Sequence, residues 1–151
     1  MEKINYVLKS YDELSKKELY EIMVLRQQVF IVEQDCPYLD ADGRDLDSHH
    51  LLGYLDNRLV CYTRLLDKNI SYEAYCSIGR VVNASSIRGK GMGKELMQKS
   101  IEGCKQLFPG IPIKISAQSY LEGFYKSLGF IPTGEKYLED DIPHMGMIIT
   151  Y

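Results

Sequence analysis

The stretch from Val81 to Gly93 constrains this chain most, because it reads as a β-strand that passes through a glycine-rich loop into a helix. The apolar residues that follow recur at nearly the 3.6-residue period of an α-helix: Met92, Leu96, Met97, Ile101, Cys104 and Phe108. Gly91 and Gly93 stand where that helix begins, and glycine leaves its free N–H groups and positive dipole end open to a ligand. Three cations lie beside them: Arg88, Lys90 and Lys94. The loop therefore predicts a phosphate site and favours a pyrophosphate.

Three phosphate-binding patterns compete for this loop. A Walker loop needs a Ser or Thr to hold magnesium, and the sequence Gly-Lys-Gly-Met-Gly-Lys-Glu has neither. A Rossmann fingerprint needs a third glycine three residues after Gly93 and a place near the chain start, but position 96 is Leu. The third pattern, Arg/Gln-x-x-Gly-x-Gly/Ala, is matched by Arg88, Gly91 and Gly93 without a gap. A glycine-rich helix start without a ligand remains the alternative.

A second motif lies between Gln118 and Phe130. It resembles the segment Asn-x-x-Ala-x-x-Phe-Tyr-x-x-x-Gly-Phe of the GNAT acyltransferase superfamily, and the Arg88–Gly93 pattern looks like the acyl-CoA loop of the same superfamily. Four positions match in place: Phe124, Tyr125, Gly129 and Phe130. Gln118 and Leu121 differ, because many members have Asn and Ala there. The two motifs also follow the order and spacing of the family.

The front and the tail of the chain resemble one branch of this superfamily, the ElaA-like acyltransferases. The similar segments are Leu25–Tyr38 and Ile142–Met147, so the resemblance covers nearly the whole chain. It implies an acyl-CoA cofactor, for which we expect acetyl-CoA, with CoA as the product. The cofactor-binding residues that we predict are Arg80, Val81, Val82, Arg88, Gly89, Lys90, Gly91, Met92, Gly93 and Gln118.

The order of the predicted elements indicates the fold class. Apolar patterns and turn residues give β-α-β-β-β-α-β-α-β-β, which is typical of an α+β (α/β mixed) fold with a mostly antiparallel sheet flanked by helices. The predicted strands are 4–10, 49–54, 58–66, 72–82 with a bulge near Gly79, 111–117 and a closing hairpin around 139–141; the helices are 15–32, 91–108 and 119–128. The first helix opens with a Ser15–Glu18 capping box and carries Arg26 at the edge of its apolar face. The resemblance implies the GNAT fold, whose sheet splays open between the strand before Arg88 and the strand that ends at Ala117.

Acyl transfer from a thioester to an amine needs a donor for the oxyanion and a proton for the leaving thiolate. Tyr125 is the predicted acid, because a phenol with a pKa near 10 stays protonated at neutral pH and the resemblance puts this residue near the CoA sulfur. Packing of Tyr125 in the core is the alternative interpretation. The predicted oxyanion donor is a backbone N–H at the splayed strand, such as that of Val82.

The general base is less clear from the sequence. The candidates are Glu33, Asp47, His49 and His144. Glu33 ranks first because it follows the helix that resembles the substrate-side helix of the family, and His49 and His144 are predicted to bind substrate. His49 and His50 adjoin on a strand, so they face opposite sides. Direct attack by the amine is preferred to an acyl-cysteine route through Cys36 or Cys76, since no activating partner is apparent.

The loop 33–48 carries five aspartates. A calcium loop needs Gly at position 6 and Glu at position 12, but Gly43 comes too early and Leu51 occupies the last position. Two interpretations stay open: a solvated acidic loop with an Asp42–Gly43 turn, and a substrate wall that suits a cationic amine.

Length and composition bound the remaining possibilities. A chain of 151 residues predicts one domain, 1–151. The net charge of -3 argues against a nucleic-acid binder, and the lack of a long apolar run or leader predicts a cytoplasmic protein without membrane contact. Four scattered cysteines predict free thiols and no metal. The edge of the closing hairpin leaves a homodimer open.

The sequence thus favours an N-acetyltransferase that acts directly on an amine of unknown identity, either a small molecule or a peptide. A non-enzymatic CoA or acyl-CoA sensor is the alternative, because it needs the same phosphate loop but no base. A nucleotide-triphosphate binder is a third possibility, weakened by the missing Ser or Thr.

Overall fold

The computed structural model describes residues 3–150, and its elements follow the predicted order. The strands are β1 (Asn5–Ser10), β2 (His49–Leu55), β3 (Arg58–Leu66), β4 (Ser77–Asn83), β5 (Ile113–Gln118), β6 (Ile131–Glu139) and β7 (Ile142–Ile149). The helices are α1 (Lys16–Arg26), which continues as a π-helical turn over Gln27–Glu33, α2 (Met92–Leu107) and α3 (Glu122–Ser127). Residues 1, 2 and 151 of the predicted 1–151 domain lie outside the described part.

The strands form two antiparallel sheets that meet at one point. One sheet has the order β1-β2-β3-β4 and the other β5-β7-β6. β4 and β5 run parallel and approach each other where Cys76 N–H donates to Pro112 O at 3.0 Å and Lys114 N–H donates to Cys76 O at 2.9 Å. Beyond this point they belong to separate sheets. The predicted α+β fold with a sheet splayed between these two strands is therefore confirmed.

Helix α2 packs across the junction through its apolar face. Leu96, Met97, Ile101 and Cys104 are buried there, as the helical period predicts. Each such side chain contributes roughly 1.5–3 kcal/mol when fully buried. Ser100 on the same face is satisfied by Thr63 Oγ1 at 2.7 Å. This packing fixes the N-terminus of α2 beside the end of β4.

Helix α1 begins with the predicted capping box. Glu18 N–H donates to Ser15 Oγ at 3.0 Å, and Ser15 N–H donates to Glu18 Oε1 at 2.8 Å. The helix then widens into the π-helical turn that ends at Glu33, close to the predicted end. Such turns interrupt the regular ladder and often occur at functional sites. Here the turn brings Phe30 and Gln34 to the gap between β4 and β5.

One boundary of β4 and the position of its bulge differ from the prediction. Residues 72–76 were expected to begin β4, but Asn69 and Ala74 have positive φ, and Asn69 N–H donates to Tyr72 O within a tight turn. The Lys114 ammonium lies over the rings of two tyrosines of this segment, Tyr72 and Tyr75. The bulge in β4 lies at Arg80 and Val81 rather than at Gly79, since Tyr62 pairs with Val82 and Arg64 with Gly79.

Candidate active site

A cleft of about 400 Å³ lies between β4 and β5. Its walls are Gly79, Arg80 and Val81 of β4 on one side and Ile115, Ser116 and Gln118 of β5 on the other. Gly93 of α2, Tyr125 of α3 and His144 of β7 also line it. The splayed sheet thus brings together residues from the glycine loop, the bulge and the second motif.

A second compartment of about 830 Å³ adjoins this cleft. Six residues line both: Phe30, Gln34, Arg80, Val81, Gln118 and His144. Its outer walls include Tyr38 of the acidic loop, Tyr120 before α3 and Glu139 at the end of β6. The arrangement gives one narrow arm and one wider chamber that meet near His144.

The glycine loop has the open backbone that an anion site needs. Gly89 and Gly91 have φ of +79° and +75°, and no side chain caps the first turn of α2. The N–H groups of a first helical turn have no intrahelical partners, and here no side-chain cap takes their place. Arg88 is held beside them, because its Nε donates to Asn83 O at 3.0 Å and its Nη2 lies 2.7 Å from Glu33 Oε1. Lys90 is exposed at the same loop.

Tyr125 is buried at the inner end of the cleft. Its ring packs edge-on against Phe124 at 5.2 Å and Phe130 at 5.9 Å between centroids. Burial raises the pKa of this phenol above its ordinary value. The hydroxyl therefore stays protonated at neutral pH and is able to donate a proton or a hydrogen bond.

His144 lies where the two compartments meet. Its Nδ1 is 2.8 Å from Ile142 O, and a carbonyl only accepts, so Nδ1–H donates. Nε2 is 3.2 Å from Glu139 Oε2. The ring stacks on Tyr137, whose hydroxyl is hydrogen-bonded to Ser116 Oγ. Strands β6 and β7 thus fix both the tautomer and the plane of this imidazole.

Of residues 88–93 only Gly93 lines the cleft, and four predicted residues outside this loop are not brought to its wall. Glu33 forms the ion pair with Arg88 and lines a different depression under α1. The side chain of Val82 is buried in the core under α1. His49 packs edge-on against Phe108, just beyond the far end of α2, and Asp47 is exposed in a 3-10 turn.

The acidic loop is neither wholly solvated nor wholly an acidic wall: three of its five aspartates pair with arginines, whereas Asp35 is exposed and lines the wider compartment. The paired carboxylates form an arginine–aspartate cluster made of Arg26, Arg64, Arg80, Asp40, Asp42 and Asp45. Arg26 was expected on the edge of its helix but is fully buried, and Arg64 is 3% exposed. Among residues 3–150 no group of acidic, His and Cys side chains is arranged to hold a metal, so the calcium interpretation gains no support.

The cluster is charge-balanced and closely paired, although the buried Nε atoms of Arg64 and Arg80 meet no acceptor in hydrogen-bond geometry. Arg26 Nη1 lies 2.7 Å and Arg64 Nη1 3.0 Å from Asp45 Oδ1, while two nitrogens of Arg64 hold both oxygens of Asp42 at 2.8 and 2.9 Å. Burial raises the pKa of Asp42 and Asp45, but the arginine hydrogen bonds and charges outweigh it and hold each pKa below its ordinary value. These aspartates therefore stay ionised.

His50, the neighbour of His49, belongs to the support of this cluster. It is fully buried, with Nε2–H donating to Asp45 O at 3.0 Å and Nδ1 accepting from the Tyr62 hydroxyl at 2.6 Å. Burial lowers its pKa, so the ring is neutral. The predicted division of the two histidines between opposite faces fits their different surroundings.

Comparison with known proteins agrees with this architecture. Residues 12–151 match the family model described as an Acetyltransferase (GNAT) domain. Protein ElaA of Escherichia coli K12 is 45% identical over 139 residues, which are 91% of this chain and 90% of ElaA. Its crystal structure matches with a TM-score of 0.90, at 42% identity over 97% of this chain and 99% of the other. An acyl-CoA N-acyltransferase from Pseudomonas aeruginosa gives 0.93, at 43% identity over 98% and 100%.

The fold and the family match together define the class of protein, an acyl-CoA-dependent N-acyltransferase. The chain belongs to the GNAT acetyltransferase family and, within it, to the ElaA-like branch. The resemblance of the two motifs is thus confirmed. Within residues 3–150, no helix has both the length and the apolar character needed to cross a membrane.

Proposed function

We propose that this protein is an acetyl-CoA-dependent N-acetyltransferase that transfers the acetyl group directly to an amine. The observation that carries the proposal is the continuity of the cleft: the glycine loop, the β4 bulge, Tyr125 and His144 border one channel with a wider chamber at its end. Its family supports acyl transfer from an acyl-CoA to an amine. To this family activity we add two proposals: the acyl group is acetyl, and the wider chamber binds the acceptor amine.

The cofactor is assigned to the narrow arm. The N–H groups of Gly91, Met92 and Gly93 bind the pyrophosphate, with Gly89 giving the turn and Arg88 and Lys90 adding charge. The pantetheine arm runs along Arg80 and Val81 toward Gln118. Because a volume of about 400 Å³ has to hold this arm as well, it favours a short acyl group. This supports acetyl-CoA as the donor.

The oxyanion donor is assigned to the N–H of Val81 rather than that of Val82. Ala84 N–H donates to Val60 O at 2.7 Å, and hydrogen-bonded pairs alternate in an antiparallel ladder. Val82 lies two residues before Ala84 and pairs with Tyr62, so this is again a hydrogen-bonded pair, and the Val82 N–H points toward β3. Val81, within the bulge, is left to face the cleft. This supports a backbone donor one residue before the predicted one.

The proton chemistry is divided between two side chains. Tyr125 donates to the leaving thiolate, and His144 Nε2 accepts the proton that the amine loses, with Glu139 stabilising the imidazolium. His144 lines both compartments, whereas Glu33 is paired with Arg88 outside the cleft wall. The predicted role of Glu33 as the base stays a prediction, and its place favours a role in holding Arg88.

Replacing His144 and Glu33 in turn separates these two assignments of the base. We expect His144→Gln to lower kcat/KM for the amine by at least about 10²-fold at pH 7, because general-base catalysis typically contributes that much. The loss shrinks as pH rises, since more of the amine is then neutral. Glu33→Gln is the matched control and should leave kcat within about threefold while changing KM for acetyl-CoA. The reverse pattern would return the base role to Glu33.

Binding and transfer are tested together. At about 100 times its dissociation constant, acetyl-CoA should stabilise the protein by roughly 2.7 kcal/mol, a rise in Tm of about 5–10 °C. Free CoA should give a similar rise, and ATP and NAD none. Release of CoA thiol with a panel of small and peptide amines then measures transfer. Binding without transfer to any amine would favour the non-enzymatic sensor. No rise in Tm with acetyl-CoA or with CoA would rule out both the enzyme and the sensor.

The cell compartment and assembly follow as part of this proposal. A reducing cytoplasm fits the four free thiols, Cys36, Cys61, Cys76 and Cys104, three of which are buried. The exposed edge strand β6 carries Pro132, Glu135 and Lys136, residue types that discourage strand pairing between subunits. A homodimer stays a prediction, and this edge gives it little support.

A further inference from the structure

Arg80 has an unusual backbone conformation for its residue type. Its φ is +49°, in the left-handed region that is sterically disfavoured for any residue with a Cβ atom. It lies within the β4 bulge, opposite Thr63 and between the Tyr62–Val82 and Arg64–Gly79 pairs. Glycine adopts this conformation without the steric cost. An arginine here must therefore supply something that glycine lacks.

The side chain of Arg80 is bound by the acidic loop. Its Nε lies 2.7 Å from Asp40 Oδ1, and its Nη2 donates to Asp40 O at 3.1 Å. Nη2 is also 3.5 Å from Asp42 Oδ2. Asp40 is 6% exposed, so the main contact is shielded from water and salt. These contacts hold the guanidinium against the acidic loop.

The two aspartates are themselves held from the opposite side. Arg26 Nε lies 2.6 Å from Asp40 Oδ2, and its Nη2 donates to Asp40 O at 3.1 Å. Arg64 binds both oxygens of Asp42. Three arginines and three aspartates balance in charge. The contacts therefore link α1 and β3 through the acidic loop to the side chain of Arg80.

On its other side, the Arg80 backbone borders the cofactor cleft together with Gly79 and Val81. We infer that Arg80 is a positioning residue. The arginine–aspartate cluster holds its guanidinium, and the held side chain keeps the backbone of the bulge in its left-handed conformation. The bulge in turn directs the Val81 N–H at the reacting thioester. The inference rests on the proposed function for its kinetic effect. The same contacts fix Asp40 beside Tyr38, so one cluster supports the cofactor wall and the acceptor wall.

Arg80→Gly isolates the side chain, because glycine tolerates the bulge conformation. We expect kcat for acetyl transfer to the best amine of the panel to fall by about 10²-fold, the usual loss when an oxyanion donor is misplaced. The dissociation constant of CoA should change by less than about threefold, since the phosphates bind at the Arg88–Gly93 loop. Arg80→Lys, which keeps one charged contact to Asp40, should recover at least tenfold of the rate.

Arg44→Ala is the matched control. Arg44 lies in the same loop but is exposed and bonds through its side chain to Ser71 Oγ at 3.3 Å, outside the cluster. Its kcat should stay within about twofold of the wild type. Amide hydrogen exchange at residues 79–82 gives a readout without turnover: exchange should speed up in Arg80→Gly and stay unchanged in Arg44→Ala.

Wild-type kcat and wild-type exchange in Arg80→Gly would overturn the inference. So would equal losses of kcat and CoA affinity with no recovery in Arg80→Lys, because the side chain would then serve folding alone. If the wild-type protein binds no CoA and acetylates no amine, the proposed function fails, and exchange at residues 79–82 alone decides whether Arg80 holds the bulge.

Discussion

Replacing Tyr125 by phenylalanine is expected to lower kcat by about 10²-fold, while the dissociation constant of acetyl-CoA stays within about twofold of the wild type. The substitution removes the hydroxyl that we propose as the acid for the leaving thiolate, and a positioned acid typically contributes that much. The ring keeps its edge-on contacts with Phe124 and Phe130. Since burial raises the pKa of Tyr125, the wild-type acid stays protonated throughout the neutral and mildly alkaline range.

The control for this prediction is Tyr20→Phe, the same chemical change on a residue of α1 that is 72% exposed. It should leave kcat, affinity and Tm unchanged. Single-turnover rates with saturating acetyl-CoA separate the chemical step from product release. An unchanged single-turnover rate in Tyr125→Phe would show that the phenol only packs the core, the alternative interpretation of this residue.

The parts of the site that the sequence predicts correctly are local. The order of the elements, the Ser15–Glu18 capping box and the glycines before α2 each depend on residues within one turn or one loop. Short-range periodicity and capping chemistry determine such features. The two family motifs then place Tyr125 and the loop in one fold, which explains why both line or border the same cleft.

The parts that the sequence misses depend on long-range pairing. Arg26 meets Asp40 and Asp45, 14 and 19 residues away, and Arg80 meets Asp40 across 40 residues. A charged residue beside the apolar face of a helix usually lies at the surface, so the periodic pattern gave Arg26 the wrong environment. The only hint was an excess of aspartates in one loop and of arginines within apolar segments.

The shift of the bulge by one residue has a similar cause. The sequence predicts the bulge near Gly79 because glycine often marks a bulge, yet the residue with left-handed φ is Arg80. Only the distant aspartates make an arginine acceptable at that position, and a local pattern contains no information about them. The candidate oxyanion donor moves from Val82 to Val81 for a separate reason, because the pairing of Tyr62 with Val82 turns the Val82 N–H toward β3.

Arg26→Met is expected to have the largest effect on stability. Methionine fills similar space without charge, so Asp40 and Asp45 each lose a buried partner. Removing one member of a buried ion network typically costs about 3–5 kcal/mol. At about 2–4 °C per kcal/mol for a chain of this size, Tm should fall by about 6–20 °C. Arg58→Met, an exposed arginine at the start of β3, is the matched control and should change stability by less than about 0.5 kcal/mol.

The acid limb of the stability curve tests the electrostatic cause of this loss. Arg26 and Arg64 hold the pKa of Asp45 below its unfolded value of 3.8. The unfolded chain therefore binds more protons between the two pKa values, so this stabilisation is complete above pH 3.8 and is lost as pH falls through the folded pKa. In the Arg26→Met variant one of the two arginine charges that oppose the effect of burial is missing, so the pKa of Asp45 is higher than in the wild type. The variant therefore loses less free energy of unfolding on acidification. Urea midpoints should thus differ widely at pH 7 and converge below pH 4; a constant difference would assign the loss to packing rather than charge.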